Sequence, residues 1–286
     1  MEEVLRLLPP ELKTIASEED ICEIRLRLGK PAVINRLGFK TATPFSVSRK
    51  CLDYVLMKAA DASIYSVTDS IIKGFITTEG GIRIGLSGKG VYKNGLFSAL
   101  SDISSLNIRI PREIKGVADG LLPYIFKRDG GIYNTLIFSL PGAGKTTLLR
   151  DICRNFDGGE DILIIDERNE ISGTVKGLPR LDVGKFSDIY VFLDKATAFE
   201  NGLRTLKPDV VVTDELDAAD FAFVKRAFSS GVGITATYHA DCIEEIKKVC
   251  SDNNTFFDLY IHLEYREYRR ALLYGSGFKK FGTVDL

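Results

Sequence analysis

The first part of the chain alternates apolar and polar residues in the manner of half-buried strands. Such alternation runs through Ile21 to Leu28 and through Leu106 to Ile110. The sequences EGG at 79–81 and KNG at 93–95 separate further runs of this kind, and both are hairpin-turn sequences. We therefore expect antiparallel strands in a small N-terminal domain.

The same domain should also contain helices. Apolar residues at helical spacing before residue 20 predict one or two short helices, interrupted at Pro9-Pro10. Ser48 can cap another helix, because the residues after it place apolar side chains on one side. Pro111 ends the strand pattern, so we expect an α+β domain over residues 1–112.

The second part of the chain, residues 113–286, carries short continuous apolar runs instead of alternating ones. Runs rich in β-branched residues and separated by helical patterns predict a mostly parallel sheet covered on both faces. These runs are Leu136 to Phe138, Ile162 to Ile165, Ile189 to Leu193, Val210 to Val212 and Ile234 to Tyr238. A helix over Val117 to Ile125 should lead into the first run, and residues 259–274 should form a terminal hairpin.

The segment SLPGAGKTTLLR, which begins at Ser139, follows the first apolar run and opens a helix. A strand, a glycine-rich turn and a helix in this order can cradle phosphate, because backbone N–H groups converge at the helix N-terminus. Lys145 would meet the β- and γ-phosphates, and Thr146 a magnesium ion. Ser139 departs from the pattern G-x-x-x-x-G-K-[ST], which has glycine there. The expected nucleotide-binding residues are Pro141, Gly142, Ala143, Gly144, Lys145, Thr146 and Thr147.

A second motif, DVVVTDE from Asp209 to Glu215, is an apolar strand that ends in two acids. Behind a phosphate loop, such a strand has the form of a Walker B motif. Asp214 can support the magnesium ion and Glu215 can polarise the attacking water, because phosphoryl transfer needs mainly positioning and charge neutralisation.

Further polar side chains should reach the same edge of the sheet, because carboxyl ends of parallel strands lie together. We assign Asp166 to the metal, and Glu167 and Glu170 to the catalytic site. His239 ends a later strand, where its side chain could sense the γ-phosphate, whereas His262 is expected to be an ordinary strand residue. The alternative for the acids is a charged exit from a strand, and for His239 a structural role.

Composition narrows the class of protein. The 38 basic and 39 acidic residues give a net charge of -1, so there is no overall attraction to nucleic acid or to an anionic membrane. Five scattered cysteines without a C-x-x-C pair suit a reducing cytoplasm. The chain has no apolar run long enough for a membrane span and no signal-peptide pattern at its start. We expect a cytoplasmic protein that meets membranes only through partners.

Four motifs in order resemble those of the ATPases of type II and type IV secretion systems and of pilus motors. GAGKTT is similar to their Walker A, IIDERNE to their Asp box, LRTLKPDVVVTDE to their Walker B, and TATYHA to their His box. One extra residue separates Arg204 from Pro208, and Asp214 precedes Glu215 where most of these motors have glycine. The resemblance implies a RecA-like P-loop NTPase domain that uses ATP and Mg²⁺.

Longer segments resemble the stage III sporulation protein AA family of endospore-forming bacteria. They are TTEGGIRIGLSGKG, SDISSLNIRIPREIKG, PGAGKTTLLRDICR and IIDERNEISG, and the similarity extends from about residue 65 to residue 240. This resemblance implies a homo-oligomeric ATPase, expected to be a hexamer, on the mother-cell side of the channel between mother cell and forespore. Its implied partners are the membrane-embedded proteins of that channel, encoded in the same operon.

A homo-oligomer is also expected on physical grounds. A nucleotide at a subunit edge is hydrolysed well when a neighbour supplies cations against the transition-state charge. In the related motors these arginines come from the first domain, and by position they correspond to Arg83 in GIRIG and Arg109 in NIRIP, with Arg112 behind them. The alternative is that they are ordinary arginines on exposed strand faces.

The sequence therefore predicts an ATP-hydrolysing motor of a secretion-like apparatus that energises the sporulation channel. A nucleotide-dependent assembly scaffold with little turnover remains the alternative. A kinase would need an acceptor-binding lid, and an ABC-type ATPase would need an LSGGQ signature after the phosphate loop, whereas the similar GLSGKG lies before it. The near-neutral charge disfavours a nucleic-acid motor.

Overall fold

A computed structural model of the chain describes residues 2–15, 21–36, 39–60, 74–78, 82–110, 113–128, 130–156, 158–265 and 269–286. The chain divides into two units. The first comprises Met1–Arg112 together with Val175–Arg180, and the second comprises Glu113–Thr174 together with Leu181–Leu286. No helix in the described ranges is both long enough and apolar enough to cross a bilayer.

The first unit is built on an antiparallel sheet. Its strands are β1 (Ile21–Arg27), β2 (Pro31–Arg36), β3 (Phe39–Ser46), β4 (Phe75–Thr77), β5 (Arg83–Lys93) and β6 (Leu96–Arg109). They pair in the order β3-β2-β1-β6-β5-β4. Its helices are α1 (Glu2–Leu7), α2 (Pro10–Ile15) and α3 (Arg49–Ala60), and their apolar residues share one buried cluster with the strands.

The alternating pattern places these strands correctly. Ile24, Ile84 and Ile108 are fully buried on one face of the sheet. The predicted KNG turn joins β5 to β6, with Asn94 and Gly95 at φ 51° and 77°, as a two-residue hairpin turn of this hand requires. The EGG sequence at 79–81 lies outside the described residues.

The edge strand β3 was not predicted. Its burial pattern shows one buried residue, Thr43, so the strand carries little of the alternation that identifies a half-buried strand. It also contains Pro44. Proline cannot donate a ladder hydrogen bond, so within sheets it is found mainly on edge strands such as β3.

The second unit contains a mostly parallel sheet, as predicted. Its strands are β7 (Thr135–Ser139), β8 (Ile162–Asp166), β9 (Ser187–Val191), β10 (Val210–Leu216), β11 (Gly233–His239), β12 (Leu259–Tyr265), β13 (Arg269–Gly275) and β14 (Lys280–Asp285). Their order is β14-β13-β12-β7-β11-β10-β8-β9. The strands from β12 to β9 in this order are parallel, and β13 and β14 extend the edge antiparallel.

Apolar clusters lie on both faces of this sheet, which explains the continuous apolar runs. Ile137 of β7 packs in one cluster with Leu148, while the next residue, Phe138, packs in the other with Phe199 and Phe221. The helices of this unit are α4 (Leu122–Ile125), α5 (Lys145–Arg154), α6 (Lys195–Thr205), α7 (Phe221–Ser229) and α8 (Ile243–Asn253).

Two details of the second unit differ from the sequence-based expectation. The helix expected over Val117 to Ile125 is the single turn α4, because Pro123 is tolerated only in the first turn of a helix. The terminal hairpin gains a third strand, and Gly120 allows this strand to approach closely, since a Cβ there would lie 2.7 Å from Cγ1 of Val284.

Candidate active site

The carboxyl ends of four adjacent parallel strands bring the predicted site residues of the second unit together. Ser139 ends β7, His239 ends β11, Glu215 lies near the end of β10, and Asp166 ends β8. Ser139 and His239 are partners in the register of β7 and β11. The chemistry predicted from four separate motifs therefore lies along one edge of one sheet.

The glycine-rich turn between β7 and α5 has the backbone of a phosphate cradle. Gly142 and Gly144 adopt φ of 81° and 99°, a left-handed conformation that is costly for other residues. Gly144 is the N-cap of α5, and no side chain caps this helix, so its first N–H groups face outward for an anion. Pro141 is exposed, whereas Ala143 is half-buried in the turn.

Lys145 is buried at the start of α5, with 5% of its surface exposed. Its Nζ donates to the carbonyl oxygens of Ser139 at 3.0 Å and Leu140 at 3.2 Å, and it lies 3.0 Å from Nδ1 of His239. Burial lowers the pKa of Lys145, and the nearby charges of Asp214 and Glu215 oppose that shift. An anionic ligand at this turn would compensate the same desolvated ammonium group.

Ser139 explains why the loop tolerates a departure from the glycine pattern. The residue is buried at the end of β7, and its hydroxyl donates to the carbonyl oxygen of Leu140 at 3.0 Å. The same Oγ lies 3.3 Å from Nζ of Lys145 and accepts from it. The serine thus adds an acceptor for the lysine without obstructing the turn.

The contact with Lys145 also orients His239. An ammonium group can only donate, so Nδ1 of His239 is the acceptor, and Nε2 of the neutral ring carries the hydrogen. Nε2 lies 3.2 Å from Oε1 of Glu215. His239 therefore links the lysine of the phosphate loop to the second acid of the Walker B strand.

Asp214 holds two threonine hydroxyls. Oγ1 of Thr146 donates to its Oδ2 at 2.6 Å, and Oγ1 of Thr237 donates to its Oδ1. The hydroxyl of Thr146 and the carboxylate of Asp214 are hard oxygen ligands of the type that magnesium prefers. These two residues therefore fit the predicted metal site. Thr147, the next predicted ligand-binding residue, is half-buried on the same helix.

Glu215 sits in a strained part of β10. Its φ is 48°, and the pairing of β10 with β11 shifts register between Thr213 and Leu216. The backbone N–H of Glu215 donates to Oγ1 of Thr237 at 2.8 Å, which holds this bulge in place. A left-handed non-glycine residue costs about 1–3 kcal/mol, and such strain clusters at functional sites. The side chain also forms an ion pair with Arg168.

Asp166, which the sequence predicts as a metal ligand, accepts hydrogen bonds from the loop after β8 in this structure. Its carboxylate is 1% exposed and accepts from the backbone N–H groups of Glu170, Ile171 and Ser172 at 2.8, 3.2 and 2.8 Å. It also accepts from the hydroxyl of Ser172 at 2.8 Å. Both oxygens of Asp166 thus fix the loop after β8.

Arg150 holds the same loop from the other side. Its Nε donates to the carbonyl oxygen of Ile171 and its Nη2 to that of Glu170, both at 2.6 Å. Burial lowers the pKa of Arg150, while the charge of Asp166 opposes that shift. Because Arg150 belongs to α5, the helix of the phosphate turn and the acidic loop are joined by buried contacts.

The other two acids of the loop, Glu167 and Glu170, line a cleft that also contains Asp214 and Glu215. Glu167 pairs with Lys195 at 3.0 Å, and this lysine is also 3.5 Å from Asp220. Glu170 is exposed, and its backbone N–H donates to Asp166. One cleft brings together Asp166, Glu167, Arg168, Glu170, Lys195, Asp214 and Glu215.

Arg83 and Arg109 belong to the first unit. They are directly opposite each other on β5 and β6, and Glu23 of β1 is the next partner of Arg109 in the same row. The guanidinium of Arg83 lies 3.9 Å above the ring of Phe75. Arg112 lies outside the described residues.

His262 behaves as an ordinary strand residue. Its ring stacks on Phe138 with a centroid separation of 4.7 Å, and burial lowers its pKa. Several contributors to the site were missed from the sequence. Thr237 lies inside the T-x-H motif and Arg168 inside IIDERNE, so both could have been found there, whereas Arg150 and Lys195 have no motif that distinguishes them.

We predict that Asp166→Asn lowers the free energy of unfolding by about 2–4 kcal/mol, even without magnesium, because an amide NH₂ would face buried N–H donors. Glu167→Gln is the matched control, with a change below about 1 kcal/mol expected, because Glu167 is exposed and its partner Lys195 keeps the nearby Asp220. Urea unfolding followed by circular dichroism measures both. An Asp166→Asn protein as stable as wild type would contradict the structural role.

The chain matches known proteins over most of its length. Residues 2–273 match the family described as Sporulation stage III, protein AA. Stage III sporulation protein AA of Bacillus subtilis (strain 168) is 32% identical over a 280-residue alignment that covers 92% of this chain and 91% of that protein.

Solved structures share the architecture at low sequence identity. The ATPase DotB from Legionella pneumophila has a TM-score of 0.59 and 16% identity, over 88% of this chain and 76% of its own. The pilus retraction motor PilT with bound ADP has a TM-score of 0.57 and 15% identity, over 92% and 81%. These values confirm the predicted RecA-like fold beside an antiparallel sheet. The chain belongs to the sporulation stage III protein AA family and has the fold of the secretion and pilus ATPases.

Proposed function

We propose that this protein is an ATPase motor of a secretion-like apparatus, with residues 1–112 and 113–286 as its two working domains. One observation carries the proposal: a phosphate-binding turn and a Walker B strand are joined by the 2.6 Å hydrogen bond from Thr146 to Asp214. Because a strained glutamate stands beside this junction, the edge has the parts for hydrolysis as well as for binding.

In this proposal, each residue of the site has a role in binding or hydrolysing ATP. The turn from Pro141 to Gly144 and the ammonium of Lys145 hold the phosphates of ATP. Thr146 and Asp214 hold magnesium, which supplies charge neutralisation on the phosphates when it is bound. Glu215 orients the attacking water, and the preset bulge limits the reorganisation that this requires.

His239 connects binding to hydrolysis in this proposal. It accepts from Lys145 through Nδ1 and presents Nε2–H to Glu215. A phosphate that attracts the ammonium of Lys145 would alter this chain of contacts, so His239 can report the state of the phosphate to Glu215. Glu167 and Glu170 contribute negative charge at the same cleft.

We further propose a homo-oligomer, with a hexamer as the expected form, in which Arg83 and Arg109 act on a neighbouring subunit's nucleotide. Their opposed positions on β5 and β6 support this, because two guanidinium groups in one row of the sheet can both donate to the phosphate oxygens of a nucleotide. The family supports a site of action at the mother cell–forespore channel, with membrane-embedded channel proteins as partners and the protein peripheral on the mother-cell side.

Glu215→Gln tests the enzyme directly. We expect steady-state ATP hydrolysis to fall at least about 100-fold, because the variant loses the charge that orients water, while ATP binding is retained. Lys145→Ala should lose binding as well. Phosphate release and calorimetric titration are the two measurements. Negligible and equal hydrolysis by wild type and Glu215→Gln, with ATP still bound, would contradict the motor and favour an assembly scaffold.

Mixing inactive variants tests the neighbour-supplied arginines. Arg109→Ala alone should lose about 10³-fold or more in hydrolysis, as for removal of a trans arginine. Mixed with Glu215→Gln, it should regain activity, because its intact site can meet the intact Arg109 of a Glu215→Gln neighbour.

The matched control is a mixture of Glu215→Gln with Lys145→Ala, in which every site is defective within its own subunit. This mixture should stay inactive. If Arg109→Ala with Glu215→Gln also stays inactive, or if Arg109→Ala alone is fully active, Arg109 does not act across subunits. The same pairs with Arg83→Ala decide its role separately.

A further inference from the structure

Both oxygens of the Glu215 carboxylate already face a donor. Oε1 lies 3.2 Å from Nε2 of His239, and Oε2 forms an ion pair with Nη1 of Arg168. The two partners come from opposite sides, because β11 and β8 are the two neighbours of β10 in the sheet. In this arrangement the carboxylate is held between the end of β11 and the loop after β8.

The backbones that carry this ion pair are firmly held. The loop of Arg168 is fixed by the buried carboxylate of Asp166, and Asn169 continues it in a left-handed turn with φ 57°. Side-chain hydrogen bonds between Asn169 and the main chain of Thr174, at 2.6 and 2.7 Å, close it. Glu215 is fixed by the bulge in β10. Only the two side chains are free to separate.

The exposures of the pair indicate which partner moves. The side chain of Arg168 is 64% exposed and that of Glu215 is 24% exposed. An arginine so open to solvent makes a weak pair that salt screens, so opening it is easy and its influence on rate is modest. His239, by contrast, is tied to Lys145 and stays within the site.

We propose that Arg168 is a positioning residue that restrains Glu215 in the resting enzyme. The closed pair holds Oε2 in its resting position, and release of Arg168 lets the carboxylate turn toward the attacking water during turnover. This inference rests on the proposed function and adds a restraint within the subunit to it. Arg168 touches neither the phosphate turn nor the metal-binding pair among the contacts described here.

The first test compares three variants at saturating ATP. Arg168→Gln should raise kcat by about two- to fivefold with little change in KM, the size expected for losing one exposed ion pair. Arg168→Lys keeps the charge and should resemble wild type. Arg128→Gln removes an exposed arginine outside the cleft and serves as the control. The ratio of Arg168→Gln to wild-type rates should approach one as sodium chloride is raised, because salt weakens the pair.

A second readout does not depend on hydrolysis. Carboxylates can be labelled with a carbodiimide and glycine ethyl ester and quantified by mass spectrometry. Without nucleotide, labelling of Glu215 relative to the exposed Glu200 should rise severalfold in Arg168→Gln and remain low in Arg168→Lys. This separates the two proposals, because the labelling reports the pair even in a protein that does not hydrolyse ATP.

Unchanged labelling of Glu215 in Arg168→Gln would overturn the restraint, whatever the rates. An unchanged or lower kcat with increased labelling would also overturn it and would make Arg168 a neutral or supporting group. If labelling of Glu215 rises in Arg168→Gln but the wild-type protein hydrolyses no ATP, the ion pair is supported. The proposed function, and with it the restraint on turnover, is then overturned.

Discussion

The active edge of the second unit depends on one carboxylate. Asp214 of β10 accepts one hydrogen bond from the hydroxyl of Thr146, at the start of α5, and another from the hydroxyl of Thr237 in β11. Three elements far apart in the sequence are thereby held at one point. The position of the glycine-rich turn relative to Glu215 follows from this junction, because Glu215 is the next residue and its N–H donates to the hydroxyl of Thr237.

A second, buried set of contacts keeps the acidic loop in register with the same helix. Asp166 accepts hydrogen bonds from backbone N–H groups of the loop, and Arg150 donates hydrogen bonds to its carbonyl oxygens. Two charges that would be costly in isolation thus compensate each other through the main chain between them. The loop can then present Glu167, Arg168 and Glu170 to the cleft as side chains on a rigid base.

The sequence predicted those strands whose apolar residues form a clear pattern. Continuous apolar runs identified β7, β8, β10 and β11 because each strand is buried on both faces. The glycines before Lys145 and Thr146 identified the turn between β7 and α5, because Gly142 and Gly144 adopt left-handed conformations there. Edge strand β3 and the third terminal strand β14 were missed, since strands with few buried residues carry little hydrophobic period.

Within the site, the sequence placed acids at the correct edge but could not divide their tasks. Asp166 ends β8 and Asp214 lies near the end of β10, and only the three-dimensional contacts show that the first is enclosed by loop N–H groups and the second accepts from two hydroxyls. The pairing of Arg168 with Glu215 joins residues 47 positions apart and depends on the adjacency of β8 and β10, which no local pattern specifies.

The most direct measurement of the central claim, that Thr146 and Asp214 form an ATP–magnesium site, is calorimetric titration of ATP with and without Mg²⁺ into wild type and Asp214→Asn. We expect magnesium to strengthen ATP binding at least about tenfold in wild type, or about 1.4 kcal/mol, and to have little effect in Asp214→Asn. Full magnesium dependence in Asp214→Asn would contradict the account, because the metal would then be held elsewhere.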